Sequence, residues 1–160
     1  MAGLAHIGVG FALTLAAPEA PAAAIVISAE VLDLLCIPAA FFKDRGSLIF
    51  KATHSLAGSL IWTAIAMGIT AVLKADLRTV LVIGIAVFSH WILDFITHPM
   101  GAVMGEKPRK PQPPDLPLTF SDNSKLVGLG LYNNSVVLSY IVDLGVTLIG
   151  IGLFVYYFFN

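Results

Sequence analysis

Apolar residues run along this chain in five long stretches, at about residues 2–17, 22–42, 52–73, 79–98 and 135–158, separated by polar or proline-containing breaks. A helical crossing of a bilayer needs roughly 20 predominantly apolar residues. The pattern therefore predicts an all-α, polytopic transmembrane helix bundle of about five spans, forming a single integral membrane domain over residues 1–160. The first stretch is the shortest and stops at Pro18-Glu19-Ala20-Pro21. It reads as a short or tilted span whose Gly3, Gly8 and Gly10 allow close helix packing. In the second stretch Pro38 removes a backbone donor and favours a kink. Lys74 to Arg78 makes a short polar turn, and the last span ends in Tyr156-Tyr157-Phe158-Phe159, which suits a membrane interface. Residues 101–134 differ from the rest: Pro108, Pro111, Pro113, Pro114 and Pro117 rule out a regular helix. Two turn-like pieces, Pro114-Asp115-Leu116-Pro117 and Gly128 to Asn134, predict local order in this loop, as in a lid.

Composition supports the same class. Hydrophobic residues make up 58% and charged residues only 12%, whereas a soluble domain is nearer a quarter charged. A net charge of −1 offers no basic surface for nucleic acid. Cys36 is the single cysteine, so an intrachain disulfide and a cysteine-based zinc site are both excluded. No basic region precedes the first apolar stretch, so that stretch is expected to stay in the mature protein.

The few polar residues inside the spans carry the functional signal. His90, Asp94 and His98 recur every fourth residue, on one helix face and about 6 Å apart along the axis. Glu30 and Asp33 lie one turn apart on the second span, and two carboxylates there require a compensating cation. His6 opens the first span, His54 and Ser55 open the third, and Asp143 sits about two turns into the fifth. If the spans alternate in direction, all four histidines fall in one leaflet with Asp33, Asp94 and Glu30, and Asp143 reaches a similar depth. Lys43, Arg45, Lys51, Lys107, Arg109, Lys110 and Lys125 lie in loops on that side, against Lys74 and Arg78 on the other. The positive-inside rule makes the richer side cytoplasmic, which gives an N-in, C-out bundle with a polar cavity facing the cytoplasm and a proline-rich cytoplasmic loop at 101–134.

Imidazole and carboxylate at this spacing are ligands for zinc, with manganese as the alternative. His54, His90 and Asp94 are the first-choice metal ligands, followed by His98, Asp33 and His6. One ion does not easily reach both His90 and His98, which leaves room for a second. Glu30 is the candidate general base and, with Asp33, the catalytic carboxylate pair. Asp143 is a candidate for orienting a metal-bound histidine. Ser55, beside His54, is a candidate nucleophile or supporting residue, although a helix-interior hydroxyl more commonly bonds its own backbone. Each carboxylate could instead form an ion pair that holds helices together. The chain has no phosphate loop, serine elbow or HExxH motif.

Thr53-His54-Ser55-Leu56 and Ser89-His90-Trp91-Ile92-Leu93-Asp94, preceded by the second-span carboxylates and by His6, resemble the membrane-bound metal-dependent hydrolase family of small multi-span bacterial and archaeal proteins. The likeness covers residues up to about Pro99. It implies metal ligation by His6, Asp33, His54, His90 and Asp94, a hydrolytic reaction class and a prokaryotic cytoplasmic membrane. The expected function is a zinc-dependent membrane hydrolase that meets membrane lipid and acts on a lipid or another amphiphilic ester or phosphoester. One alternative is a proton or divalent-cation transporter, and another is a non-catalytic partner subunit; the sequence sets no oligomeric state. A conduction path needs polar groups in both leaflets, and the second leaflet here offers only Ser, Thr and Gly, which favours a one-sided pocket. An alkaline phosphatase fused after Asn160 should be active and a fluorescent protein fused there dark; a fluorescent fusion would overturn the N-in, C-out orientation.

Overall fold

The computed structural model describes residues 3–41, 48–98, 113–133 and 135–160. Lys43, Arg45, Lys107, Arg109, Lys110, Pro108 and Pro111, all used above, lie outside the described residues. The described chain is mostly helical, with α1 at Gly3–Leu13, α2 at Ala22–Phe41, α3 at Leu48–His54, α4 at Leu56–Val72, α5 at Leu77–Thr97 and α6 at Val136–Phe159. A 3-10 turn, Thr14–Ala16, extends α1. Within the proline-rich loop, β1 (Leu116–Pro117) pairs antiparallel with β2 (Leu126–Val127), Leu116 opposite Val127, and a second 3-10 turn covers Leu131–Asn133.

One expected helix is broken. Residues 52–73 were expected to form a single span, but α3 and α4 meet at a 65° bend. Ser55 has extended backbone (φ −71°, ψ 155°), and its hydroxyl accepts from Gly58 N–H at 2.9 Å, capping α4. Serine satisfies a free helix N-terminus better than it serves a helix interior, so Ser55 ends one helix and starts the next. A side chain at position 58 would run into the Ala52 carbonyl, so Gly58 lets the chain fold back this sharply. Trp62 Nε1 donates to that carbonyl at 3.0 Å and ties the two arms together.

α5 and α6 are each long and apolar enough to cross a membrane; α3 with α4 makes a third crossing if the bent pair is one span, and Gly3–Ala16 is a shorter apolar helix. Ile61, Ile65 and Ile69 on α4, Leu81 and Ile85 on α5, and Ile141, Leu148 and Ile149 on α6 all face outward. So large an apolar exterior belongs in hydrocarbon. α5 is the central helix, with half of its apolar stretch buried against 22% for α6. Its N-terminus is capped by Asp76, which accepts from Thr79 N–H at 3.0 Å and from the Thr79 hydroxyl at 2.7 Å. Those bonds hold the Asp76 carboxyl below its ordinary range.

α1 is wedged between α2 and α6 by small residues. A Cβ on Gly10 would sit 2.8 Å from Val26 Cα on α2, and one on Gly8 would sit 2.5 Å from the Val146 carbonyl on α6. Gly150 faces Gly8 across the same crossing, where an added Cβ would overlap the Gly8 carbonyl. Thr147 reinforces the contact with a hydroxyl that lies 2.5 Å from Leu4 O across it and 2.6 Å from Asp143 O on its own helix, its one proton shared between the two carbonyls. Gly150→Leu is expected to lower stability by about 1–3 kcal/mol or more, because the atom it meets is backbone. Thermal unfolding of the purified protein measures this, with Gly152→Leu, which has open space, as the near-neutral comparison.

Candidate metal centre

α5 supplies the centre's spine. Its buried face carries His90 and Asp94 one turn apart, and its C-cap, His98, closes the helix with an N–H to Asp94 O bond of 2.8 Å. The start of α1 adds His6, the second half of α2 adds Asp33, and the α3–α4 bend aims His54 inward as the last residue of α3. His6, His54, His90 and Asp94 are all buried. Asp33 keeps about a third of its side chain exposed, so it forms the open rim.

Asp94 stands in the middle. Its Oδ1 lies 3.6 Å from His6 Nε2 and 3.6 Å from His98 Nε2. Its Oδ2 lies 3.7 Å from His90 Nε2 and 3.8 Å from His54 Nε2. On the rim, Asp33 Oδ1 is 3.1 Å from His54 Nε2 and 3.7 Å from His90 Nε2. Most of these gaps are too long for a hydrogen bond. They are close to the separation of about 3.4 Å between two ligand atoms held tetrahedrally at about 2.1 Å from one zinc ion.

The outer hydrogen bonds set which ring nitrogens face inward. His90 Nδ1 lies 2.8 Å from Ala29 O; a carbonyl only accepts, so Nδ1 carries the proton and Nε2 presents a lone pair. Thr53 donates its hydroxyl proton to Ile49 O at 3.0 Å, so it accepts from His54 Nδ1 at 2.7 Å. His54 Nε2 lies 3.1 Å from Asp33 Oδ1, a hydrogen bond in which the ring nitrogen donates and the carboxylate accepts, and 3.8 Å from Asp94 Oδ2. Metal-binding histidines are held in this way, with the outer nitrogen bonded to protein oxygen. The buried side-chain atoms without a hydrogen-bond partner include both ring nitrogens of His6, His90 Nε2 and Glu30 Oε1. Each would cost about 1–3 kcal/mol if left unsatisfied. These buried ring nitrogens and carboxylates make a donor set that a divalent ion would fit.

Among the described residues two groups have ligand atoms close enough to hold an ion: His6, His90 and Asp94, and Asp33, His54 and His90. Five of the six residues proposed from sequence as metal ligands fall in these groups; His98 is in neither and faces Asp94 Oδ1 at 3.6 Å, on the side away from His54. Glu30 sits one turn from Asp33 on α2, with its Oε1 buried and within electrostatic reach of His90, Asp33 and Asp94. Ser55 acts as the α4 cap and fixes the bend behind His54. Asp143 contacts no histidine through a hydrogen bond described here; its Oδ1 accepts from the Tyr132 hydroxyl at 2.5 Å. Burial, followed by that carboxylate, pushes the Tyr132 hydroxyl above its ordinary value, so it remains a donor. Sequence reasoning missed three partners: Thr53 behind His54, Tyr132 on Asp143, and Asp115, whose Oδ1 is 2.7 Å from His98 Nδ1. The Pro114-Asp115 turn was visible in the sequence, but its pairing with a helix cap was not.

A bundle of apolar helices that buries histidine and aspartate together defines this as a membrane protein with a polar centre enclosed at one end. The chain belongs to the YdjM inner membrane protein family, whose model matches residues 1–159. That description gives a membrane location, which the apolar helices support, and names no reaction. No curated protein and no solved structure matches the chain.

The Tyr132–Asp143 bond makes a thermodynamic prediction. Tyr132→Phe removes a donor from a buried carboxylate and should cost about 1.5–3 kcal/mol. The same change in an Asp143→Asn background should cost much less, a coupling that a double-mutant cycle of unfolding free energies reads directly.

Proposed function

We propose that the protein is a metal-dependent membrane hydrolase, binding zinc, or manganese in its place, and acting on a lipid or another amphiphilic ester or phosphoester. The observation that carries this reading is the convergence of Asp33, His54 and His90, and of His6, His90 and Asp94, into two adjoining groups whose ligand atoms lie within 4.8 Å of one another. In this reading Asp33, His54 and His90 hold the metal, with Asp94 Oδ2 facing both histidines at 3.8 and 3.7 Å. His6 and His98 flank the opposite oxygen of Asp94, with room for a second ion. A bound divalent ion supplies Lewis acidity and lowers the pKa of water at the site to about 7.

The chain's own residues do the rest. Ala29 O and Thr53 hold the His90 and His54 rings by their outer nitrogens. Glu30, one turn from Asp33, takes and returns a proton at Oε1, a buried oxygen with no hydrogen-bond partner. Asp33, on the rim, meets the approaching head group. An apolar groove of about 370 Å³ runs between α4 and α5, lined by Leu60, Met67, Leu81, Phe88 and Ile92, on a face of α5 separate from His90 and Asp94. The amphiphilic substrate class therefore rests on the membrane location of the protein and not on this groove. The topology that suits this reaction has five crossings, by α1, α2, the bent α3–α4 pair, α5 and α6, with the centre in the cytoplasmic leaflet of an inner membrane. Lys51 and Lys125, at the centre's end of the bundle, match that orientation.

Elemental mass spectrometry of the detergent-purified protein tests the reading. About one or two equivalents of zinc or manganese should co-purify. His54→Ala, His90→Ala and Asp94→Ala should each retain less than about a tenth of that metal, given the loss of a ligand from a three- or four-ligand site. Folded wild-type protein that takes up neither ion, even after incubation with each, would remove the metal and the hydrolase together.

A further inference from the structure

The segment 113–133 lies across the end of the bundle that holds the metal centre, and it is fastened to several elements there. Leu118 O accepts from Ala57 N–H at the start of α4 (3.1 Å), and Leu129 N–H donates to Phe95 O on α5 (2.7 Å). Tyr132 is bonded to Asp143 on α6, and Lys51 on α3 pairs with Asp122 near the hairpin tip. That ammonium holds the Asp122 carboxyl below its ordinary range. Leu116 and Tyr132 are fully buried, so the segment contributes to the packed interior. Gly128, at φ +154°, comes so near α5 that a Cβ there would stand 2.9 Å from His98 O.

At one point the segment reaches the centre itself. Asp115 Oδ1 lies 2.7 Å from His98 Nδ1, while His98 Nε2 faces Asp94 Oδ1 at 3.6 Å. A carboxylate that accepts from Nδ1 leaves the Nε2 lone pair directed at Asp94, on the metal side of the ring. His98 is the α5 cap with extended backbone (φ −67°, ψ 147°), so the helix does not set the direction of its ring. The hairpin does.

We propose that Asp115 is a positioning residue that presents His98 to the metal centre, and that segment 113–133 is a cover whose closure and metal binding stabilise each other. The proposal rests on the metal reading above. Linkage makes the effect reciprocal: if a closed cover tightens metal binding, bound metal must hold the cover closed by the same factor.

The test uses the full-length protein in detergent, loaded with cobalt(II) as the probe metal. Affinity is read by competition with a chromogenic chelator, ligation by the cobalt absorption bands, and cover closure by the rate of tryptic cleavage at Lys125, with and without metal. Asp115→Asn is expected to weaken cobalt binding by about 10–100-fold, shift the cobalt bands and abolish the metal's protection of Lys125. Asp115→Glu should recover most of the affinity. Asp122→Asn, which loosens the tip without touching His98, should stay within about twofold of wild type, as expected for an exposed ion pair. Asp115→Asn protein that binds cobalt as tightly as wild type, with unchanged bands and protection, overturns this proposal alone. An Asp122→Asn loss equal to that of Asp115→Asn overturns the positioning role. Wild-type protein that binds no cobalt overturns the metal reading and this proposal with it.

Discussion

Burying a carboxylate in an apolar bundle is unfavourable unless donors or cations surround it, and removing one partner of such a group is strongly destabilising. Asp94 is 3% exposed and has a histidine nitrogen within 4 Å on four sides, from α1, α3 and two positions of α5. No single helix could provide that shell. Much of the architecture around α5 reads as the means of bringing those rings to one carboxylate. α1 must approach closely enough for His6, the chain must turn at Ser55 so that His54 points in, and α5 must end at His98 with its cap still in reach.

Each requirement is met by a different piece of local chemistry. The approach of α1 depends on missing side chains, since Gly8, Gly10 and Gly150 let backbones meet where a Cβ would overlap. Without a hydrophobic drive between helices in lipid, such close packing is a main source of association. The turn at His54 depends on a hydroxyl that caps and a glycine that folds back. The precision of the inner shell depends on Ala29 O and Thr53, backbone and side-chain oxygens of rigid helices, which suit the holding of ligands better than loops would.

The sequence made the helices legible because hydropathy and proline breaks act locally: α2, α5 and α6 begin and end within two residues of the apolar stretches. The convergence of histidines and carboxylates was legible for a similar reason, since i,i+4 spacing and alternating helix direction are enough to place His6, Asp33, His54, His90 and Asp94 at one end. The break at Ser55 was hidden because residues on both sides are apolar and helix-compatible, and the cap depends on a fold-back that only tertiary contact with Ala52 enforces. Asp143 was read as orienting a histidine, and the hydrogen bond the structure shows at its carboxylate comes from the Tyr132 hydroxyl. Its partner, Tyr132, comes from a loop whose path no periodicity encodes, and the same is true of Asp115 and His98.

The distribution of polarity across the bundle bears on what such a centre can do. The clustered histidines and carboxylates lie in the first half of α1, the second half of α2, the α3–α4 junction and the last turns of α5, which the contacts among them place at one end. Toward the other end, the buried cluster of Ala17, Ile25, Ala29, Val82, Ile83 and Ala86 is apolar. An ion moving through would have to shed its ligands into that cluster, where nothing comparable replaces them, and a charge at the bilayer centre is unfavourable by any scale. A substrate that reacts at the rim needs no such path. Asp33 is the partly exposed member of the shell and Asp94 the enclosed one, so access is graded from a wet edge to a dry interior. That gradient fits chemistry on a molecule anchored in the same membrane better than it fits passage across it.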